Sequence, residues 1–80
     1  MERQEIEKKV NEILVDKLGV DPSEVKEDAT FTDDLGGDSL DTVEVIIECE
    51  REFGVSVNDA DAAKCSTVKD IYDLVEKLVN

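Results

Sequence analysis

A single serine, Ser39, stands in the run Gly36-Gly37-Asp38-Ser39-Leu40-Asp41, where a loop leads into a strongly patterned segment, and the chain contains no histidine. A serine at the start of a helix has two common uses, as a nucleophile or as the attachment point of an anionic group. Without an imidazole, no Ser-His-Asp relay can be built to make the hydroxyl reactive near neutral pH. Ser39 therefore reads as a group on which other proteins act. Cys49 and Cys65 fit no metal or redox spacing, since there is no Cys-x-x-Cys, and read as two reduced thiols, Cys49 as a small core residue. Asp33, Asp34 and Asp38 lack the alternating oxygen ligands and glycine of an EF-hand loop. No catalytic set and no dedicated metal site is expected, so the chain does not read as an enzyme.

Several uses of Ser39 compete. The string Gly37-Asp38-Ser39-Leu40 matches the signature of the GDSL lipases and esterases, but their serine needs a distant histidine and a much larger α/β scaffold. Phosphorylation is a second possibility, since a helix N-terminus favours an added anion; Asp38 and Asp41 would oppose a phosphate carrying up to two charges. A phosphodiester-linked cofactor arm places one negative charge at the same point, where the helix dipole and free N–H groups offset the local acids better. A plain capping serine needs no chemistry at all.

The elements that must position Ser39 are helical. From Glu2 to Leu18, the apolar residues Ile6, Val10, Ile13, Leu14 and Leu18 recur at helical spacing, and Gly19 is a natural stop. Asp21-Pro22-Ser23-Glu24 reads as a short turn with a capping box. The connection continues through Thr30, with Phe31 and Leu35 as its expected anchors to the core. The second helix runs from Ser39 to Phe53 with Asp38 as N-cap and Gly54 as stop. A helical turn around Asp59 to Lys64 follows, and Ser66-Thr67 opens a last helix, with Thr67 and Asp70 resembling a capping box, faced by Val68, Ile71, Tyr72, Val75, Leu78 and Val79. The expected fold is all-α, a small bundle of three principal helices plus one or two short helical turns, with a long loop between the first and second main helices.

The second helix has too many apolar residues for one core. At about 100° per residue, Thr42, Val45, Ile46, Cys49 and Phe53 share an arc of roughly 100°, a normal core face. Leu40, Val43 and Ile47 fall on nearly the opposite side, flanked by Glu44, Glu50 and Arg51. Either the loop around 20–35 folds over this second stripe, or another protein grips it. The second alternative is the one adopted here, because whatever binds the strip also holds Ser39.

Size and charge narrow the setting. Eighty residues suffice for one small domain, residues 1–80, without room for a deep catalytic pocket. The net charge of −13 argues against nucleic acid and anionic membrane surfaces as partners. Residues 38–63 carry 8 acids and 1 base, so the segment opened by Ser39 is the most negative. The N-terminus lacks an apolar signal core and no apolar run has membrane length, which makes a cytoplasmic protein without stable membrane insertion the expectation.

The run Phe31-Thr32-Asp33-Asp34-Leu35-Gly36-Gly37-Asp38-Ser39-Leu40-Asp41-Thr42-Val43-Glu44 resembles the signature of the acyl carrier proteins of type II fatty acid synthesis. The likeness continues through Glu50-Arg51-Glu52-Phe53-Gly54-Val55, Asp59-Ala60-Asp61-Ala62-Ala63-Lys64 and Thr67-Val68-Lys69-Asp70, and includes Lys17-Leu18-Gly19-Val20 and the opening helix. The resemblance implies a 4′-phosphopantetheine arm esterified to the serine at position 39, with acyl groups carried as thioesters on its sulfhydryl. It further implies a phosphopantetheinyl transferase that uses coenzyme A and a divalent metal of its own. Fatty acid synthesis enzymes with basic docking patches are the implied partners, reading Asp38, Leu40, Asp41, Val43, Glu44, Ile47 and Glu50; the expected state is a monomer. Three departures stand out: Gly37 replaces a larger residue, Arg51 an acid, and Val57-Asn58 lacks a proline, which predicts a more mobile link. A carrier for another cargo (polyketide, aminoacyl or D-alanyl) and an unmodified acidic helical adaptor are the alternatives.

Overall fold

The computed structural model describes residues 2–30 and 39–79, with Ser39 described by its backbone alone. The first apolar stripe forms helix α1, Arg3–Leu18, which buries Ile6, Val10, Ile13 and Leu14; Leu18 packs at the edge of the core. Gly19 ends the helix in the left-handed region at φ 65°, and its N–H donates to the Val15 carbonyl at 3.0 Å. Glycine takes this conformation without a steric penalty, which is why it stops helices.

A 3-10 turn, Pro22–Glu24, follows with the expected capping box: Asp21 accepts from the Ser23 N–H and Glu24 accepts from the Asp21 N–H. Helix α2 spans Ser39–Phe53, as its periodicity predicts. Helix α3, Asp59–Lys64, is capped by Asn58, whose side-chain oxygen accepts from the Asp61 N–H at 2.8 Å. Helix α4 spans Val68–Val79 and opens after Ser66 and Thr67, with the Thr67–Asp70 capping box that the sequence predicts. Those two residues are its cap: the Asp70 N–H donates to Thr67 Oγ1, while the Asp70 carboxylate accepts from the Thr67 and Ser66 N–H groups.

The core joins three helices. Ile6, Val10 and Leu14 of α1, Val45 of α2, and Val68, Ile71 and Val75 of α4 are at most 1% exposed. Burial of such aliphatic side chains stabilises by about 1.5–3 kcal/mol each before entropy is counted. Helix α3 contributes no buried residue; Ala62 only leans on the core.

Backbone hydrogen bonds fasten the described part of the connection after α1 to α4. The Val68 N–H donates to the Ala29 carbonyl at 3.0 Å and the Lys69 N–H to the Glu27 carbonyl at 2.9 Å, beside an antiparallel bridge between Thr30 and Thr67. Two of the N–H groups that a helix start leaves without internal partners are thereby satisfied. The expected anchors Phe31 and Leu35, and the Asp38 cap, lie outside the described residues.

Ion pairs from α1 clamp the bundle. Arg3 reaches Asp73 at 2.9 Å and lies over the Tyr72 ring at 5.4 Å. Lys9 reaches Glu52 at 3.3 Å and Lys17 reaches Glu48 at 3.8 Å. The Tyr72 hydroxyl donates to the Asn11 side-chain oxygen. Partly exposed pairs like these each add little stability.

The α4 cap makes stability depend on acid. The Ser66 N–H above all, then the Thr67 N–H and the Ser66 hydroxyl, hold the Asp70 carboxyl below the usual carboxylate range, against the opposing effect of partial burial. A carboxyl with a depressed folded pKa stabilises fully above its unfolded pKa and loses that contribution as pH falls through the folded one. Asp70→Ala is expected to cost about 1 kcal/mol near neutral pH. In chemical denaturation as a function of pH, its difference from the parent should shrink below about pH 4; a pH-independent difference would contradict the charged cap.

Candidate functional site

Ser39 is the first residue of α2, a helix of 15 residues. The opening turn of such a helix presents N–H groups without internal acceptors and a partial positive charge, so a singly charged phosphodiester there is favoured by both. This geometry fits the prosthetic group that the sequence implies.

Beyond Ser39 the helix divides into two faces. Val45, Ile46 and Cys49 are buried, and Thr42 and Phe53 are half-buried. On the other face, Leu40 is 63% exposed, Val43 50% and Ile47 44%. Residues 20–30 leave this row open. Three large apolar side chains aligned on one exposed helix face form a patch of the kind that marks interaction sites. One stripe is buried and the other exposed, as the periodicity of α2 predicts.

The acids around the row are not equivalent. Glu44 is exposed and makes no ion pair with a described residue, and Asp41 is half-buried. Glu48 and Glu52, by contrast, are paired to α1. Glu50 is half-buried, and its Oε2 accepts the Val57 N–H at 2.9 Å. Nothing in the sequence signals that bond. Arg51 is exposed and makes no ion pair with a described residue. Asn58, where the sequence suggested a loosened link, is the α3 cap. Asp38 and Gly37 lie outside the described residues.

Neither thiol is reactive by environment. Burial, followed by the neighbouring Glu48 charge, pushes Cys49 up to about 12. Cys65 is also raised, by burial first and then by Asp70 and Asp61. Both are free, as the sequence predicts. Among the described residues, no helix is long and apolar enough to cross a membrane.

The described residues thus combine a helical bundle, a serine opening its second helix and an exposed apolar row beyond it. Residues 8–75 match the family described as "Phosphopantetheine attachment site". The chain is 55% identical over 75 residues to an acyl carrier protein of Thermotoga maritima, covering 94% of this chain and 93% of that one. It is 51% identical over 72 residues to an acyl carrier protein of Solidesulfovibrio magneticus, covering 90% and 92%. The crystal structure of an acyl carrier protein from Thermotoga maritima superposes with a TM-score of 0.84 at 37% identity, covering 99% of this chain and 92% of that one. The chain belongs to the phosphopantetheine-binding acyl carrier proteins. Its prosthetic group is 4′-phosphopantetheine, and its family carries acyl groups rather than catalysing their reactions.

Proposed function

We propose that this chain carries growing acyl groups as thioesters on a 4′-phosphopantetheine arm attached to Ser39 and presents them to the enzymes of fatty acid synthesis. The observation that carries the assignment of the site is the position of Ser39 as the first residue of α2, immediately before the exposed apolar row. The arm, when bound, supplies a terminal thiol that holds the acyl group. The chain itself supplies the hydroxyl, the helix terminus that accommodates the phosphodiester charge, and a face that partners grip. Residues 1–80 act as one acyl-carrier domain, working as a monomer in the cytoplasm.

Leu40, Val43 and Ile47 form the apolar grip of that face, and Asp41 and Glu44 are the acids of its rim; Asp38, outside the described residues, is assigned to the rim from the sequence resemblance alone. Phosphopantetheinyl transferase and the synthesis enzymes approach it through basic patches. An exposed rim of charge raises encounter rates while each pair adds little affinity, which suits a carrier that must leave each enzyme quickly. Raising ionic strength from roughly 0.1 M to roughly 1 M shortens the screening length from about 10 Å to about 3 Å. Transferase turnover on this chain is expected to fall several-fold over that range, in kcat/KM more than in kcat. Turnover indifferent to salt would remove charge steering from the account.

A further inference from the structure

Helix α3 is too short to hold itself: six residues lie below the length at which an isolated helix is even marginal, and none of them is buried. Its place depends on what fastens its ends. The far end runs into the Ser66-Thr67-Asp70 cap of α4. The near end is the link 54–58, and a single residue of α2 fastens it twice. The chain turns at Gly54, at φ 65°. The Val55 N–H then donates to the Glu50 backbone carbonyl at 3.1 Å, and the Val57 N–H donates to the Glu50 carboxylate at 2.9 Å. Val57 packs against the core, and the next residue, Asn58, caps α3.

We propose that Glu50 is the positioning residue for α3, acting through the reach of its side-chain oxygen to the Val57 N–H rather than through its charge. Its carboxylate lies at the edge of the exposed row of α2, so the same group that borders the docking face sets where the neighbouring helix stands. The influence of Glu50 on docking, which rests on the carrier reading above, is exerted through the position of α3.

Two substitutions separate reach from charge. Glu50→Gln keeps an acceptor oxygen at the same distance and removes the charge; Glu50→Asp keeps the charge and withdraws the oxygen by one methylene. Amide hydrogen exchange followed by NMR on the purified chain reads the clasp directly and needs neither arm nor partner. Glu50→Asp and Glu50→Ala are expected to speed exchange at Val57 and at Ala62 by about tenfold or more, with Val10 and Val75 unchanged, while Glu50→Gln stays within about threefold of the parent. Parental protection in Glu50→Asp, or losses in Glu50→Gln equal to those in Glu50→Ala, would overturn the proposal. Acceleration spread evenly through α1 and α4 would overturn it as well, by making Glu50 a general stability residue. Transferase turnover on the same variants should follow the exchange data, with Glu50→Gln near the parent and Glu50→Asp reduced; the opposite order would return Glu50 to a charge contact. If the chain accepts no arm at all, turnover vanishes for every variant while the exchange pattern stands, so failure of the carrier reading and failure of the clasp are distinguishable.

Discussion

Incubated with coenzyme A, a divalent metal and a phosphopantetheinyl transferase, the parent chain is expected to gain the mass of one phosphopantetheine, and Ser39→Ala to gain nothing. The effect is all-or-none because the modification is covalent and no other described serine shares this setting. Ser23 lies in an exposed 3-10 turn, Ser56 in the exposed link after α2, and Ser66 is occupied with the Asp70 carboxylate. None of these precedes an exposed apolar row on a long helix. Intact mass spectrometry of material from the native host provides the same test in vivo. Because Ser39 is the first residue of α2, Ser39→Ala is expected to remove at most a capping preference, a cost of about 1 kcal/mol. The variant should therefore remain folded by circular dichroism, which keeps a missing mass increment from being attributed to unfolding. Modification of Ser39→Ala would move the attachment point elsewhere, and an unmodified parent would end the carrier reading.

The largest effect on stability is expected at Leu14. It is completely buried in α1, in the cluster that joins Val45 of α2 to Ile71 and Val75 of α4. Truncating a buried leucine to alanine removes transfer free energy and leaves a cavity, together about 2–5 kcal/mol. A chain of this length has a total stability of roughly 4–12 kcal/mol at the usual value per residue. Leu14→Ala thus removes a large share of what holds the fold, and Tm should fall by about 10 °C or more. The urea midpoint should drop with an unchanged slope, as for a two-state loss of stability. A shift of only a few degrees would mean that the neighbouring helices collapse onto the gap.

Much of this architecture is legible in the sequence because helices write their burial at a period of 3.6. Ile6, Val10, Ile13 and Leu14 announce α1, and Gly19 and Gly54 announce where α1 and α2 stop. The doubled stripe of α2 is legible for the same reason: Leu40, Val43 and Ile47 fall where no second core can reach. The start of α4 is legible too: Thr67 and Asp70 stand three apart, the spacing of a capping box, and bond reciprocally across the boundary. The fastening of the loop to α4 is illegible, since Glu27 and Ala29 act through carbonyls that every residue carries. The bond from Glu50 to Val57 is hidden for a different reason: it exists only once the chain has reversed at Gly54, and no pattern local to either residue anticipates it. The role of Asn58 as the cap of α3 is likewise absent from the reading, which registers there only the missing proline.

The depth of Cys49 has a consequence for selective chemistry. A carrier whose cargo rides on a tethered sulfur must not offer acyl groups or oxidants a rival sulfur of its own. An ordinary thiol is deprotonated near pH 8.5, whereas Cys49 is pushed up to about 12, which leaves roughly one thiolate in 10⁵ at neutral pH. By walling that sulfur in among the apolar residues of the core and setting Glu48 beside it, the fold withholds Cys49 from exchange with the acyl groups the family carries.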